Sequence, residues 1–164
     1  MRVGIAGYGL AGRYFHAPLL KGCGYEVVAI QTSNAERAGH ALEDFPHVNV
    51  VATIEELVAH KLDLVVVASA NLAHAEHAYA AINAGIPVVV DKPMGRTFAE
   101  TAEIISAGER AGVPVSTFFN RRWDSDALTI KKVLASGVLG TIHRMDSRFE
   151  RFRPELNKSS WREN

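Results

Sequence analysis

Six short apolar runs alternate with longer helical patterns, and this alternation restricts the fold more than any single residue does. The runs cover residues 3–6, 26–30, 48–51, 64–68, 87–90 and 113–117. Most are apolar continuously, not at every second position, which is the pattern of strands covered on both faces. Strands joined by crossover helices run parallel, so the series reads as an α/β fold with a doubly wound parallel sheet.

The intervening helices carry their own signals. A Ser or Thr followed three residues later by Glu predicts helix starts at Ser33/Glu36, Thr53/Glu56 and Thr97/Glu100, with helices running to about Glu43, His60 and Arg110. An Ala-rich stretch from His74 to Ile82, ended by Gly85 and Pro87, reads as a further crossover helix. After the last run, a helix from about Asp124 to Ser136 closes at Gly137, with Gly140 in the next turn. Residues 141 to about 152 mix Ile142, Met145, Phe149 and Phe152 with Arg144, Arg148, Arg151 and the adjoining Arg153, and read as a strand that leaves the first sheet. A lone strand needs a partner. The expected organisation is one domain over 1–122, then a connecting helix and the first strand of a second domain over 123–164.

Composition excludes several function classes. Across 164 residues, 18 Lys and Arg balance 18 Asp and Glu, so no broad cationic face is offered to nucleic acid or an acidic membrane. The Arg-rich stretch around Phe149 and Phe152 suits a sheet strand better than a nucleic-acid contact. Apolar runs fall well short of the roughly 20 residues of a membrane span. Cys23 is the single cysteine, which excludes an intrachain disulfide and a Cys-based zinc site. With Met1 and Arg2 leading straight into an apolar strand and no signal-type segment, a cytoplasmic protein is expected. His74 and His77 stand at helical i,i+3 spacing, but no third ligand is evident and no metal is expected.

Gly7-Tyr8-Gly9-Leu10-Ala11-Gly12 is a G-x-G-x-x-G that follows the first strand and opens a helix. Gly7 permits the tight turn, Gly9 lets backbone approach a pyrophosphate, and Gly12 lets helix pack on strand. In this placement the motif predicts dinucleotide binding in a Rossmann-type sheet, against a plain Gly-rich turn or a methyltransferase-type adenosine site. Where an acidic residue would hold the adenosine ribose, at the end of the second strand, the chain has Thr32, Ser33 and Asn34, with Arg37 close behind. Neutral donors and an arginine favour NADP over NAD.

A second constellation sits at the ends of strands four and five: Ser69-Ala70-Asn71 with His74, and Asp91-Lys92-Pro93. Together with the glycine motif and Asn120-Arg121-Arg122, these residues resemble the Gfo/Idh/MocA oxidoreductases, over nearly the whole chain. The resemblance implies hydride transfer between a nicotinamide and a sugar, cyclitol or similar polyol. It implies that Lys92, as a buried ammonium, stands beside the nicotinamide and the reacting hydroxyl, that Pro93 follows a cis bond, and that Asp91 orients the loop. It places Ser69, Ala70, Asn71 and His74 along the nicotinamide site, although Ala70 stands where the family has proline, and it places Asn120 and Arg121 at the site's mouth. The family's second domain, with its downstream Asp and His, is not found in this sequence, so cofactor binding with little turnover is expected, with homo-oligomers for the longer form. A non-catalytic dinucleotide-binding or sensor module is the competing reading.

Overall fold

The computed structural model describes residues 1–150, 152, 154 and 155. They divide after Asn120 into two compact units.

The first unit is a six-stranded, all-parallel sheet: β1 (Arg2–Ala6), β2 (Glu26–Gln31), β3 (Asn49–Val51), β4 (Leu64–Val67), β5 (Val88–Asp91) and β6 (Val115–Phe118). The order β3-β2-β1-β4-β5-β6 is that of the Rossmann fold, with a reversal of winding between β1 and β4. Each strand lies within two residues of its expected position. Alternation along the strands supplies two cores. Val65, Val67, Val88 and Val90 pack with Ile54 and Leu57 of α3 (Ile54–Val58), Ala78 and Ile82 of α4 (His74–Asn83), and Ile104 of α5 (Phe98–Ala111). Val3, Ile5, Ile30 and Val66 pack on the opposite face with Leu20 of α1 (Ala17–Gly22) and Ala41 of α2 (Ala35–Asp44).

The helix starts follow expectation unevenly. Thr53 and Glu56 form the full reciprocal box. Thr97 accepts from the Glu100 N–H, but the Glu100 carboxylate turns to the Arg96 N–H, so only half of that box forms. At α2 the expectation is corrected: Asn34, not Ser33, is the cap, its Oδ1 accepting from Arg37 N at 2.9 Å. An Asn side chain satisfies the same orphan donor, and the helix therefore starts one residue later.

In the second unit, α6 (Ser125–Ala135) forms as expected. The expected strand over 141–152 is corrected: no strand forms over residues 141–150, and residue 151 lies outside the described residues. An extended segment with no neighbouring ladder has no partner for its backbone groups. Among the described residues no helix is long and apolar enough to cross a membrane.

Candidate dinucleotide site

The carboxyl end of β1 turns sharply at Gly7, whose φ of +94° is open only to glycine at low strain. A Cβ on Gly7 would come within 2.5 Å of the Ser69 backbone, so the turn lies directly on the end of β4. A Cβ on Gly12 would collide with the Gly7 carbonyl oxygen. Gly9 differs: a Cβ there meets only the Arg37 guanidinium, whose Cζ lies 3.6 Å from it. The chain then enters a π-helical turn at Gly12–His16 before α1, a feature that the sequence pattern did not signal. Leu10 is exposed and Ala11 half-buried at its start.

The loop after β2 brings polar groups to the same end of the sheet. Thr32 is buried, its Oγ1 accepting from Asn34 N at 3.3 Å, while Ser33, Asn34 and Arg37 are exposed. Arg37 thus stands beside Gly9 with no carboxylate at the end of β2.

Tyr8 departs from a simple cofactor contact. The residue is 1% exposed and its hydroxyl donates to Asp44 Oδ2 at 2.9 Å. Arg13 Nε donates to the same oxygen at 2.8 Å. Burial, then the hydrogen bond to Asp44, pushes the Tyr8 phenol well above its ordinary range. For Asp44, burial acts upward but is outweighed by the hydrogen bonds from Arg13 and Tyr8 and the Arg13 charge, so the carboxyl sits below its usual range. A groove of about 460 Å³ opens beside this cluster, lined by Arg13, Tyr14, Lys21 and Phe45 among others; Gly9, Arg37, Ser69 and Lys92 do not line it.

At the ends of β4 and β5 the site is built from side chains. Asn71 is half-buried and Ala70 exposed. Ser69 Oγ is a buried oxygen with no hydrogen-bond partner among the described residues. His74 is 2% exposed, with Nδ1 2.9 Å from the Pro93 oxygen and Nε2 3.1 Å from the Ser69 oxygen. Sequence reading placed His74 against a cofactor; here both ring nitrogens face backbone carbonyls, and the ring ties the β4 loop to the β5 loop. Asp91 Oδ1 accepts from Lys92 N at 2.8 Å, and the Lys92–Pro93 peptide is cis. Lys92 itself is exposed, not the buried ammonium expected, because no described side chain covers it.

His16, at the end of the π turn, was missed by sequence reasoning. Its ring packs on Phe118 at 4.3 Å between centroids, and its buried Nε2 has no partner among the described residues. Burial lowers its proton affinity, and the Asp91 charge acts in the opposite direction. Asn120 ends the first unit, half-buried. Arg121 opens the second, where it pairs with Asp124 at 2.9 Å and lies over the Phe149 ring. Among the described residues no group of three or more His, Cys, Asp or Glu could hold a metal.

A dinucleotide fits these residues. Two glycines at the strand-to-helix turn admit no Cβ, an arginine stands over the third glycine, and the buried Ser69 hydroxyl at the end of β4 has no partner among the described residues.

Comparison with known proteins agrees. Residues 1–119 match the family described as an oxidoreductase family with an NAD-binding Rossmann fold. The uncharacterized oxidoreductase YdgJ of Escherichia coli K12 is 42% identical over 164 residues, covering 99% of this chain and 46% of that protein. The scyllo-inositol 2-dehydrogenase (NADP(+)) IolW of Bacillus subtilis 168 is 41% identical, covering 99% and 45%. The structure of the YPO2259 oxidoreductase from Yersinia pestis superposes with a TM-score of 0.89 at 39% identity, covering 99% of this chain and 46% of that one. The chain spans about half the length of the curated relatives it matches. It belongs to the Gfo/Idh/MocA oxidoreductase family, and its residues 1–119 are the NAD-binding Rossmann domain of that family.

Proposed function

We propose that the protein carrying this chain is an oxidoreductase that prefers NADP to NAD and moves hydride between the nicotinamide and a CH–OH carbon of a sugar, cyclitol or similar polyol. The carrying observation is Arg37, whose guanidinium stands over Gly9 where no carboxylate guards the end of β2. A carboxylate there would repel a 2′-phosphate, whereas a guanidinium binds one through paired charge-assisted hydrogen bonds. The name of the Bacillus subtilis relative, which specifies NADP(+) and scyllo-inositol, supports the same cofactor and substrate class.

When bound, the dinucleotide supplies the hydride acceptor or donor. The chain's own residues do the rest. Backbone N–H groups of Gly9-Leu10-Ala11-Gly12 hold the pyrophosphate, and Arg37 with Ser33 and Asn34 holds the adenosine end. Lys92 Nζ takes the substrate hydroxyl proton as the amine and returns it as the ammonium in the reverse direction. Asp91, accepting from the Lys92 N–H, fixes the backbone from which that side chain extends.

Calorimetric titration of the 164-residue chain with NADPH and NADH, repeated on Arg37→Ala, tests the cofactor side. We expect NADPH to bind more tightly and Arg37→Ala to weaken NADPH about tenfold or more while leaving NADH nearly unchanged. Equal binding of both would remove the NADP preference, and binding of neither would remove the site.

A further inference from the structure

We propose that His74 is a positioning residue, an imidazole that must carry two protons to clasp the Ser69 and Pro93 carbonyls and so set the Lys92 loop against the end of β4. This rests on the dinucleotide site read above. A carbonyl oxygen only accepts, and a neutral imidazole has one N–H and one lone pair. With Nδ1 2.9 Å from one carbonyl oxygen and Nε2 3.1 Å from the other, a neutral ring aims its lone pair at an oxygen lone pair. Both contacts are hydrogen bonds only when both nitrogens are protonated.

Charged and titratable groups stand on each element around the ring. From α5, the Glu100 carboxylate is the anion that senses His74, and Arg96 holds it in its charged form through hydrogen bonds. From α4 itself, His77 is kept below the ordinary imidazole value by burial, so it is neutral near pH 7 and does not oppose a charge on His74. On α3, Glu55 acts on His77. On the β5 side, Asp91 and Lys92 are the charged residues next to Pro93.

Loss of one ring proton converts one hydrogen bond into a repulsive contact and frees one of the two loops. The order of the Lys92 loop, and with it cofactor affinity, therefore follows the protonation of His74. Neither asparagine nor leucine can replace this bridge, because neither carries two donors on opposite sides of a ring.

The test follows the ring ¹⁵N signals of His74 and the Lys92 and Met94 amides by NMR in the 164-residue chain, from about pH 5 to about pH 8.5, a window that spans imidazole titration. NADPH and NADH are titrated at each pH, and NADH removes the confounding titration of the 2′-phosphate. We expect both ring nitrogens to carry protons wherever affinity is full. Loss of one proton should shift both amides and weaken both dinucleotides about tenfold. His74→Asn should bind weakly throughout and lose this pH dependence, whereas His77→Asn should keep it. A ring that holds one bare nitrogen throughout while the loop amides stay constant overturns the clasp, as does a His74→Asn chain with the original pH profile. Should His74→Asn not fold, the ring and amide signals of the unsubstituted chain decide alone. Failure of the unsubstituted chain to bind either dinucleotide counts against the site, while the same signals still judge the clasp.

Discussion

At the carboxyl end of β1, Gly7 and Gly12 shape the site by what they lack, since a Cβ on either meets backbone. At the ends of β4 and β5 the shape comes from a side chain, His74, that joins two carbonyls from separate loops. The first edge is rigid because hard-core repulsion permits one arrangement. The second holds only as long as its hydrogen bonds do, and it carries Lys92, the residue proposed for proton transfer. The binding edge is thus fixed sterically and the chemical edge by hydrogen bonds, so the two should respond differently to substitution and to pH.

The largest effect should come at the chemical edge. In the longer protein, Lys92→Ala should lower kcat by about a thousandfold with NADPH affinity nearly unchanged. A variant that retains turnover would remove Lys92 from proton transfer. At the steric edge the two outer glycines and the middle one should separate. Gly12→Ala should cost about 3 kcal/mol or more in thermal or denaturant unfolding, because the new Cβ has nowhere to go. Gly9→Ala should unfold within about 1 kcal/mol of the unsubstituted chain yet bind NADPH about a hundredfold more weakly, since its Cβ meets only the Arg37 side chain and occupies the phosphate approach. Equal unfolding costs for the two variants would show that the edge is not set by backbone collision.

The smallest effect should appear on the acid side. Burial holds His16 and His77 below the ordinary value of 6.5, so the unfolded chain takes up protons first as pH falls. Their contribution to stability is complete above that value and is lost as pH drops through their lower folded values. Asp44, also held low, adds a loss below its ordinary 3.8. The unfolding midpoint should fall by about 2–4 °C on the first acid limb, with His16→Leu flattening part of it. An unchanged limb in His16→Leu would assign that limb elsewhere.

Much of the site was legible because its signals are local. The sheet follows from apolar runs and crossover lengths, and Gly7 and Gly12 announce themselves because no other residue fits. The absence of a carboxylate at the end of β2 was readable directly. Tyr8 misled, because its place inside the motif suggests a ligand contact while its hydroxyl reaches Asp44, 36 residues away. The strand expected over 141–152 misled in another way: alternating polarity describes a suitable strand but does not supply its neighbour.

By itself the sequence determined the parallel Rossmann sheet, the glycine turn and the polar, carboxylate-free end of β2, since periodicity and steric exclusion act between residues close along the chain. Only the tertiary structure decided that Asn34 caps α2, that Lys92 stands exposed, and that His74 faces Pro93 across 19 residues of sequence. Those outcomes depend on which strand ends the parallel register brings side by side, and on which polar groups are then left to satisfy one another.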